Sequence, residues 1–263
     1  MTMNFLQWWV TCYAILISIY FVLGWFITKD IKTTKLAKIQ VNRTLAPELI
    51  RRDVKQSVKS LCLISFFVGL AIWLNQEGYT LVHASEPSVF SFVLWLLVSM
   101  FLYDTWFYWI HRMIHTRRLY KLVHLWHHRS KSPVIWSNNS DTLLDGVLTQ
   151  SYWVVAALIL PMPTALLILV HKIYDQITGM LGHAGYEYGG SLTMPPSPFA
   201  AVTFHDQHHE YFNCNYATQF LFWDKLMGTL HKDYSRVTAS NLRSAKRSDS
   251  GSGEKEADTH TQG

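Results

Sequence analysis

The chain has 263 residues, of which 49% are hydrophobic and only 16% are charged, and its formal net charge is +5. A single soluble domain rarely combines so many apolar residues with so few charged ones. The mean hydropathy of +0.09 averages strongly apolar blocks with basic and polar segments, which is typical of a protein that crosses a membrane several times. The three cysteines are far apart and form no C-x-x-C pair, so neither a disulfide framework nor a thiolate metal site is expected.

The first predicted element is a transmembrane helix. No charged residue occurs from Phe5 to Ile27, and at about 1.5 Å per residue this segment is long enough to cross a hydrocarbon core of roughly 30 Å. A cleaved signal peptide is the alternative, but the segment lacks a basic n-region and a small-residue cleavage site. We therefore expect it to remain in the membrane as the first span.

A basic segment follows the first span. Nine Lys or Arg residues lie between Thr28 and Lys59, and a short basic loop stays on the cytoplasmic side of a membrane. The N-terminus is then non-cytoplasmic. The same charges suit a solvated face in contact with anionic lipid headgroups. Residues 1–57 are expected to form an N-terminal unit of one transmembrane helix and a basic cytoplasmic loop.

Two further spans are predicted before the first histidine-rich region. The segment from Ser60 to Leu74 is short for a crossing, but flanking Lys and Trp side chains can lie at the interface. The connector at 75–87 contains no Lys or Arg and is therefore expected on the non-cytoplasmic side, where His83 would be solvated. The segment from Ser88 to Ile110 returns the chain to the cytoplasmic side and ends next to His111.

A proline-broken hairpin is predicted after the second group of histidines. Two apolar arms between Gly146 and Leu181 are separated by Pro161 and Pro163, and prolines so close together interrupt a helix. Such a hairpin crosses out and back, so His183 returns to the side of the earlier histidines. The sequence thus predicts an all-α, multi-spanning membrane protein with four to five transmembrane helices and a cytoplasmic, histidine-rich, metal-binding cap.

Three short motifs concentrate the histidines: "HRMIH" at 111–115, "HLWHH" at 124–128 and "HDQHH" at 205–209. Histidines three or four residues apart on a helix face the same way, so each motif can present several imidazoles to one ion. With 13 histidines in the chain, roughly 0.03 copies of H-x-x-H-H are expected by chance. Imidazole binds iron, zinc and copper, so the ligand type does not choose the metal. Eight imidazoles exceed the needs of one ion. The alternative is a set of polar histidines at a membrane interface.

Together with "DTWFYWIHRMIH", "GHAGYE" and "NYATQFLFWDKLMGT", these motifs resemble the fatty acid hydroxylase superfamily, and in particular its sterol desaturases and sterol methyl oxidases. The resemblance covers about 90–230, within a membrane catalytic domain expected at 58–235, and leaves 1–57 uncovered. It implies an oxidoreductase with a di-iron centre of two iron ions, which uses dioxygen to hydroxylate or desaturate a C–H position of a lipid, with a sterol or sterol-like substrate expected. The polar residues at 236–263 are expected to form a disordered tail.

The resemblance also implies the metal ligands. His183 enters through "GHAGYE" alone, and a structural role is its alternative. One departure concerns the residues after the second motif, where the family often has His-Pro before an acidic residue and this chain reads "SNNSDTLLDG". Asp141 or Asp145 takes that role, or the pocket differs. The nine implied ligands are His111, His115, His124, His127, His128, His183, His205, His208 and His209.

Carboxylates that orient the ligating histidines are expected as well, because such histidines usually donate their other ring N–H. Asp104 lies seven residues before His111, on about the same helical face, and a carboxylate within an apolar span is costly unless it is used. A purely structural hydrogen bond is the alternative. Asp175 and Asp224 are further candidates, for which an interface or capping role is equally compatible.

The chain contains no G-x-G-x-x-G motif, so electrons must come from another protein. The resemblance implies a b-type cytochrome, or a ferredoxin, with an NAD(P)H-dependent reductase, docked near the basic cytoplasmic surface. The lipid would enter from the bilayer, and no nucleic-acid partner is expected. The membrane is that of the endoplasmic reticulum or the bacterial inner membrane. Alternatives are a hydroxylase of fatty acyl, alkane or carotenoid substrates and a non-catalytic lipid-binding relative.

Overall fold

A computed structural model describes residues 2–34, 38–82, 88–161, 164–187 and 199–257. Within these ranges the chain is helical, and its only extended pairing consists of two isolated β-bridges, which confirms the predicted all-α class. The helices are α1 (Phe5–Thr34), α2 (Pro47–Gln76), α3 (Val89–Ile114), α4 (Arg117–Leu119), α5 (Leu143–Gln150), α6 (Tyr152–Ile159), α7 (Ala165–Gly182), α8 (Val202–Tyr211), α9 (Phe222–Leu226) and α10 (Tyr234–Ala257). Short π and 3-10 turns lie between α4 and α5.

The first three helices have the length and composition of membrane spans. Large apolar side chains on α1 and α3 are exposed, among them Trp25, Phe26, Phe90 and Leu97. Apolar surface of this kind suits contact with lipid. The first and third predicted spans coincide with these helices. The total of four to five spans stays a prediction, because α5 and α6 together form a shorter apolar segment, Leu143–Ile159.

The basic segment is mostly helical, so the prediction of a loop from Thr28 to Lys59 is wrong for most of its length. Helix α1 continues to Thr34, and α2 begins at Pro47. Lys, Arg, Gln and Glu are good helix formers, and proline is favoured at the first helical position. The helices therefore extend beyond the apolar residues from which the spans were predicted.

The proline-broken hairpin is present as two arms. Its first arm consists of α5 and α6, and its second arm is α7. The chain leaves the helical conformation at Leu160, immediately before Pro161, because the residue before a proline is driven out of the α region. Whether the arms cross the whole membrane stays a prediction, and Pro163 lies outside the described residues.

Helices α1 and α2 pack against each other in antiparallel fashion. The Nε1–H of Trp9 donates to the carbonyl of Cys62 at 3.0 Å, and the hydroxyl of Tyr13 approaches the carbonyl of Val58 at 3.5 Å. Gly69 lets the backbones come close, because a Cβ atom there would lie 2.8 Å from backbone atoms of Trp9. The main hydrophobic core combines residues of α1, α2, α3, α6 and α7.

The C-terminal segment differs from the disordered tail expected at 236–263, because α10 extends to Ala257. Its first residue, Tyr234, is buried, and the Tyr234 hydroxyl accepts the backbone N–H of Ala201 at 3.1 Å. The amide of Asn241 donates to the Thr203 hydroxyl at 3.0 Å. These contacts anchor the start of α10, which composition alone does not reveal. Both His83 and His260 lie outside the described residues.

Substituting Gly69→Val is expected to destabilise the protein, because the new side chain overlaps the backbone of α1. Overpacking of this kind costs about 1–3 kcal/mol. Thermal unfolding in detergent micelles measures the effect, with Leu70→Val at the neighbouring, partly exposed position as the control. An unchanged melting temperature for Gly69→Val would show that α1 does not pack here.

Candidate metal centre

The histidines lie on four segments at one end of the helices. His111 lies in the last turn of α3, and His115 caps that helix. "HDQHH" lies within α8, as its spacing predicts. "HLWHH" is not α-helical: a π turn ends at His124, and a 3-10 turn begins at His127. The helical geometry predicted for this motif is therefore wrong, although its histidines still converge. The remaining segment is the C-cap of α7, which is His183.

The nine histidines form two groups, and in each group one ring nitrogen per residue lies within 4.8 Å of the others. Each H-x-x-H-H motif contributes to both groups, so the motifs do not correspond to separate ions. The five-histidine group consists of His111, His115, His124, His128 and His208. The four-histidine group consists of His127, His183, His205 and His209.

The Nε2 atoms point toward the centre of each group. In the five-histidine group the Nε2–Nε2 distances are 3.0 Å for His111–His124, 3.2 Å for His115–His128 and 3.1 Å for His128–His208. In the four-histidine group they are 3.3 Å for His127–His183, 3.0 Å for His183–His205 and 3.0 Å for His205–His209. With a metal–nitrogen bond of about 2.1 Å, adjacent ligand atoms lie roughly 3.0 to 3.4 Å apart. Both groups therefore fit one ion each.

Several of the outward Nδ1 atoms find oxygen acceptors, whereas those of His127, His128 and His209 are buried without a hydrogen-bond partner. The carbonyls of Tyr216, Cys214 and Gly179 accept from His111 at 2.7 Å, His208 at 2.7 Å and His183 at 2.9 Å, respectively. A donating Nδ1–H leaves the Nε2 lone pair free. These bonds therefore select the tautomer that a metal ion needs, which is the usual arrangement for ligating histidines.

Two carboxylates support the motif at 124–128. The Nδ1–H of His124 donates to Asp145 Oδ2 at 2.5 Å, and both side chains are buried. His127 Nδ1 lies 3.2 Å from Asp141 Oδ1 without forming a hydrogen bond. A carboxylate acceptor makes the imidazole more basic, and therefore a stronger ligand.

Burial keeps five of the imidazoles neutral. Removal from water is the largest cause that lowers their pKa values, and the neighbouring imidazoles lower them further. A neutral imidazole is the form that binds a metal. The residues outside the helical spans whose pKa lies well below the usual value are His124, His128, His205, His208 and His209.

Both groups border one cavity. His111 and His124 line it from the five-histidine group, and His127, His183 and His205 line it from the four-histidine group. The other lining residues lie mainly on α3, α5 and α7. A molecule in this cavity would therefore be near both groups at once.

Comparison with known proteins identifies the family of the chain. The sequence profile described as "Fatty acid hydroxylase" matches residues 96–229, which is about half of the chain and contains every histidine of the two groups. The chain belongs to the fatty acid hydroxylase family. This membership confirms the resemblance stated from the motifs.

Several relatives in this family carry sterol-related names. Human lathosterol oxidase is 26% identical over 187 residues, which cover 68% of this chain and 60% of the relative. Methylsterol monooxygenase erg25B of Aspergillus fumigatus is 29% identical over 217 residues, covering 78% and 71%. Rat cholesterol 25-hydroxylase is 28% identical over 168 residues, covering 63% and 55%. The chain thus spans less than two thirds of the length of two of these relatives. No solved structure matches the chain.

The Asp104 carboxylate bonds to backbone groups and not to a histidine. Its Oδ1 atom accepts the backbone N–H groups of Thr218, Gln219 and Phe220 at 3.0, 2.7 and 3.3 Å. The predicted direct contact with a histidine is therefore wrong. A carboxylate on α3 can satisfy several N–H groups of a tight turn, and the segment it holds follows Tyr216, whose carbonyl orients His111.

Asp224 and Asp175 also lie away from the imidazoles. Asp224 accepts the backbone N–H groups of Tyr216 and Ala217 at 2.9 and 2.8 Å, which agrees with its capping alternative. Asp175 pairs with Lys172 Nζ at 2.6 Å within the wall of the cavity. Neither carboxylate therefore orients a histidine directly.

The carboxylates that do face the imidazoles were visible in the sequence only as a departure from the family pattern. Asp145 and Asp141 follow "HLWHH" by 17 and 13 residues, a separation that fixes no contact. The first turn of α5 places Asp145 against His124. The signal available was the presence of these two acids where the family's acidic residue is expected.

Removing the Asp145 carboxylate is expected to weaken metal binding by the five-histidine group about 10- to 100-fold, the usual effect of losing such a partner. Ferrous iron titrated anaerobically into apo Asp145→Ala measures the affinity. The iron affinity of Asp145→Asn, which keeps an acceptor oxygen, should lie between those of Asp145→Ala and the parent protein.

The matched control is Asp233→Ala, because Asp233 lies near the surface and pairs with Arg236. Equal affinities for Asp145→Ala and this control would contradict a supporting role for Asp145.

Proposed function

We propose that this chain is a membrane-bound, non-haem di-iron oxygenase that hydroxylates or desaturates a C–H position of a lipid, with a sterol or sterol-like molecule as the preferred substrate. The observation that carries the proposal is the pair of histidine groups on one cavity. Two ions in these groups would both reach a molecule bound between them. The family and the oxidase and monooxygenase names of its relatives support the same activity.

The choice of iron rests on the chemistry of the reaction. Oxidation of an unactivated C–H bond with dioxygen requires a metal that changes its oxidation state, which zinc does not do. Imidazole is a suitable ligand for iron. Within the described residues, neither group contains a cysteine or a carboxylate, so the positive charge of the ions is not neutralised by their ligands.

A lipid substrate is supported by the surface as well as by the relatives. An apolar groove between α3 and α6 is lined by Leu102, Trp106 and Val155, and its rim includes the exposed residues Trp109 and Ile159. A lipid could enter here from the bilayer. The names of the relatives refer to lathosterol, methylsterols and cholesterol. Fatty acyl, alkane and carotenoid substrates would use the same histidines with a different fit to the groove.

The residues of the chain have separable roles in this proposal. The Nε2 atoms hold the ions, and the carbonyls and Asp145 keep the imidazoles in the required tautomer. Tyr103 and Phe107 are aromatic residues in the cavity lining, and they would limit water around the reacting C–H group. An iron pair, when bound, would supply the activation of dioxygen. Hydroxylation would place one oxygen atom in the substrate and the other in water, which consumes two electrons and two protons.

Those electrons must come from a separate donor. We propose a b-type cytochrome, or a ferredoxin, with its NAD(P)H-dependent reductase, bound on the cytoplasmic side. A groove lined by Arg51, Arg52, Lys55 and Lys59 lies beside Trp126, within the motif at 124–128. Its charge suits an acidic partner. With the histidine groups on the cytoplasmic side, the N-terminus would be non-cytoplasmic. The membrane would be that of the endoplasmic reticulum or the bacterial inner membrane.

Reconstitution tests the proposed function. The iron-loaded protein, supplied with dioxygen, an NAD(P)H-driven cytochrome or ferredoxin chain and a panel of sterols and fatty acyl lipids, should yield a sterol that has gained one oxygen atom or lost two hydrogen atoms. Mass spectrometry reads both outcomes. Zinc-loaded protein should give no product, because zinc cannot accept or donate electrons.

Product formation by the zinc-loaded protein would contradict the di-iron proposal. Oxidation of fatty acyl lipids alone would replace the sterol assignment with the alternative substrate class.

A further inference from the structure

A short N-terminal segment reaches the histidine groups from outside the region that matches the family profile. Residues 38–43, here called the N-terminal arm, lie between α1 and α2, whereas the matching region begins at residue 96. The arm contacts the chain beside three of the histidine-bearing segments. The sequence gives no sign of this, because the arm falls within a stretch that reads simply as basic.

The centre of the arm is Gln40, whose side chain is buried. Its Nε2 group donates to the carbonyl of Lys131 at 2.9 Å and to Asp206 Oδ1 at 2.9 Å. One amide nitrogen thus uses both of its hydrogens to connect two segments. Lys131 follows "HLWHH" by three residues, and Asp206 lies inside "HDQHH".

The arm also holds the segment after His183. Lys38 forms an antiparallel β-bridge with Tyr186, and the N–H of Ile39 donates to the carbonyl of Gly185 at 3.0 Å. Gly185 has a positive φ of 74°, and a Cβ atom there would lie 2.8 Å from the carbonyl oxygen of Pro133. A larger residue at this position would push the segments that contain Gly185 and Pro133 apart.

These contacts bear most fully on one of the two groups. The segments joined by the arm carry all members of the four-histidine group, namely His127, His183, His205 and His209. They also carry His124, His128 and His208 of the five-histidine group, whose other two members, His111 and His115, lie at the end of α3. That group has its own supports, because Tyr216, Cys214 and Asp145 accept from its Nδ1 atoms.

We propose that Gln40 is a positioning residue for the four-histidine group, and that its two amide hydrogen bonds set the spacing at which this group binds its metal ion. The five-histidine group binds its ion without Gln40. This inference rests on the proposed function in one respect, that each group holds an ion.

The test compares metal binding by Gln40→Met with that of the parent protein. Methionine has a similar length but makes no amide hydrogen bond, so the variant removes the connection while filling the space. Ferrous iron is titrated anaerobically into the full-length apo-protein, and bound iron is counted after gel filtration. The parent should bind two ions per chain, and Gln40→Met should bind one with unchanged affinity and the other at least about tenfold more weakly.

The matched control is Gln76→Met, which makes the same change at the last residue of α2. Gln76 is exposed and accepts one hydrogen bond, from Trp8 Nε1 at 2.5 Å. The Gln76→Met variant should bind two ions per chain, like the parent protein. Gln40→Glu adds a second test of the amide, because a carboxylate cannot donate and would face the carboxylate of Asp206. In Gln40→Glu, the binding of the ion at the four-histidine group should be weakened at least as much as in Gln40→Met.

Two backgrounds identify the weakened site. In His209→Ala, which impairs the four-histidine group, adding Gln40→Met should cost no further ion. In His115→Ala, which impairs the five-histidine group, the same addition should leave the chain with almost none. Such a double-mutant comparison separates a local effect from general loss of the fold.

Two kinds of result would contradict the role proposed for Gln40. Two ions bound with parental affinities by Gln40→Met would overturn the inference, as would equal weakening of both ions. A parent protein that binds no iron would instead refute the proposed function, so the two failures can be told apart.

Discussion

The structure depends on one constraint: nine imidazoles converge in a largely buried space, and within the described parts of the chain no cysteine or carboxylate joins the two groups they form. Imidazoles packed at Nε2–Nε2 distances of 3.0–3.3 Å gain little from each other, because neighbouring lone pairs repel. The arrangement makes physical sense when a cation lies at the centre of each group. Burial lowers the pKa values of His124, His128, His205, His208 and His209, and a neutral imidazole is the form that binds a metal ion.

The remainder of the site holds these rings from outside. Backbone carbonyls and Asp145 fix the tautomers of several rings, and the segment that contains the Tyr216 carbonyl is held in turn by carboxylates that bond to backbone N–H groups. Asp104 and Asp224 hold the segment around Tyr216 by accepting its backbone N–H groups. A carboxylate within a span is costly, and here its cost is offset by hydrogen bonds that shape a turn. Three rings of the five-histidine group are supported by such acceptors, and the proposed role of the N-terminal arm is to position the four-histidine group, in which His183 also donates to the Gly179 carbonyl.

The sequence predicts the residue types and the helices better than the contacts between segments. The histidine motifs and the three long apolar stretches are local patterns, and the structure contains all of them. How the first H-x-x-H-H motif divides between the two groups depends on the π turn that ends at His124 and the 3-10 turn that begins at His127, and local spacing does not encode these turns. The partners Asp145 and Gln40 are separated from their contacts by 21 and 166 residues. Such contacts arise from tertiary packing, and a single sequence does not specify them.

The central claim is that the two interleaved groups each hold one iron ion, close enough to act on one bound molecule. An anomalous difference map recorded at the iron absorption edge, from crystals of protein prepared anaerobically with excess ferrous iron, tests it most directly. The account predicts two peaks per chain, one among His111, His115, His124, His128 and His208 and the other among His127, His183, His205 and His209. A single peak shared by both groups, or peaks outside them, would contradict it.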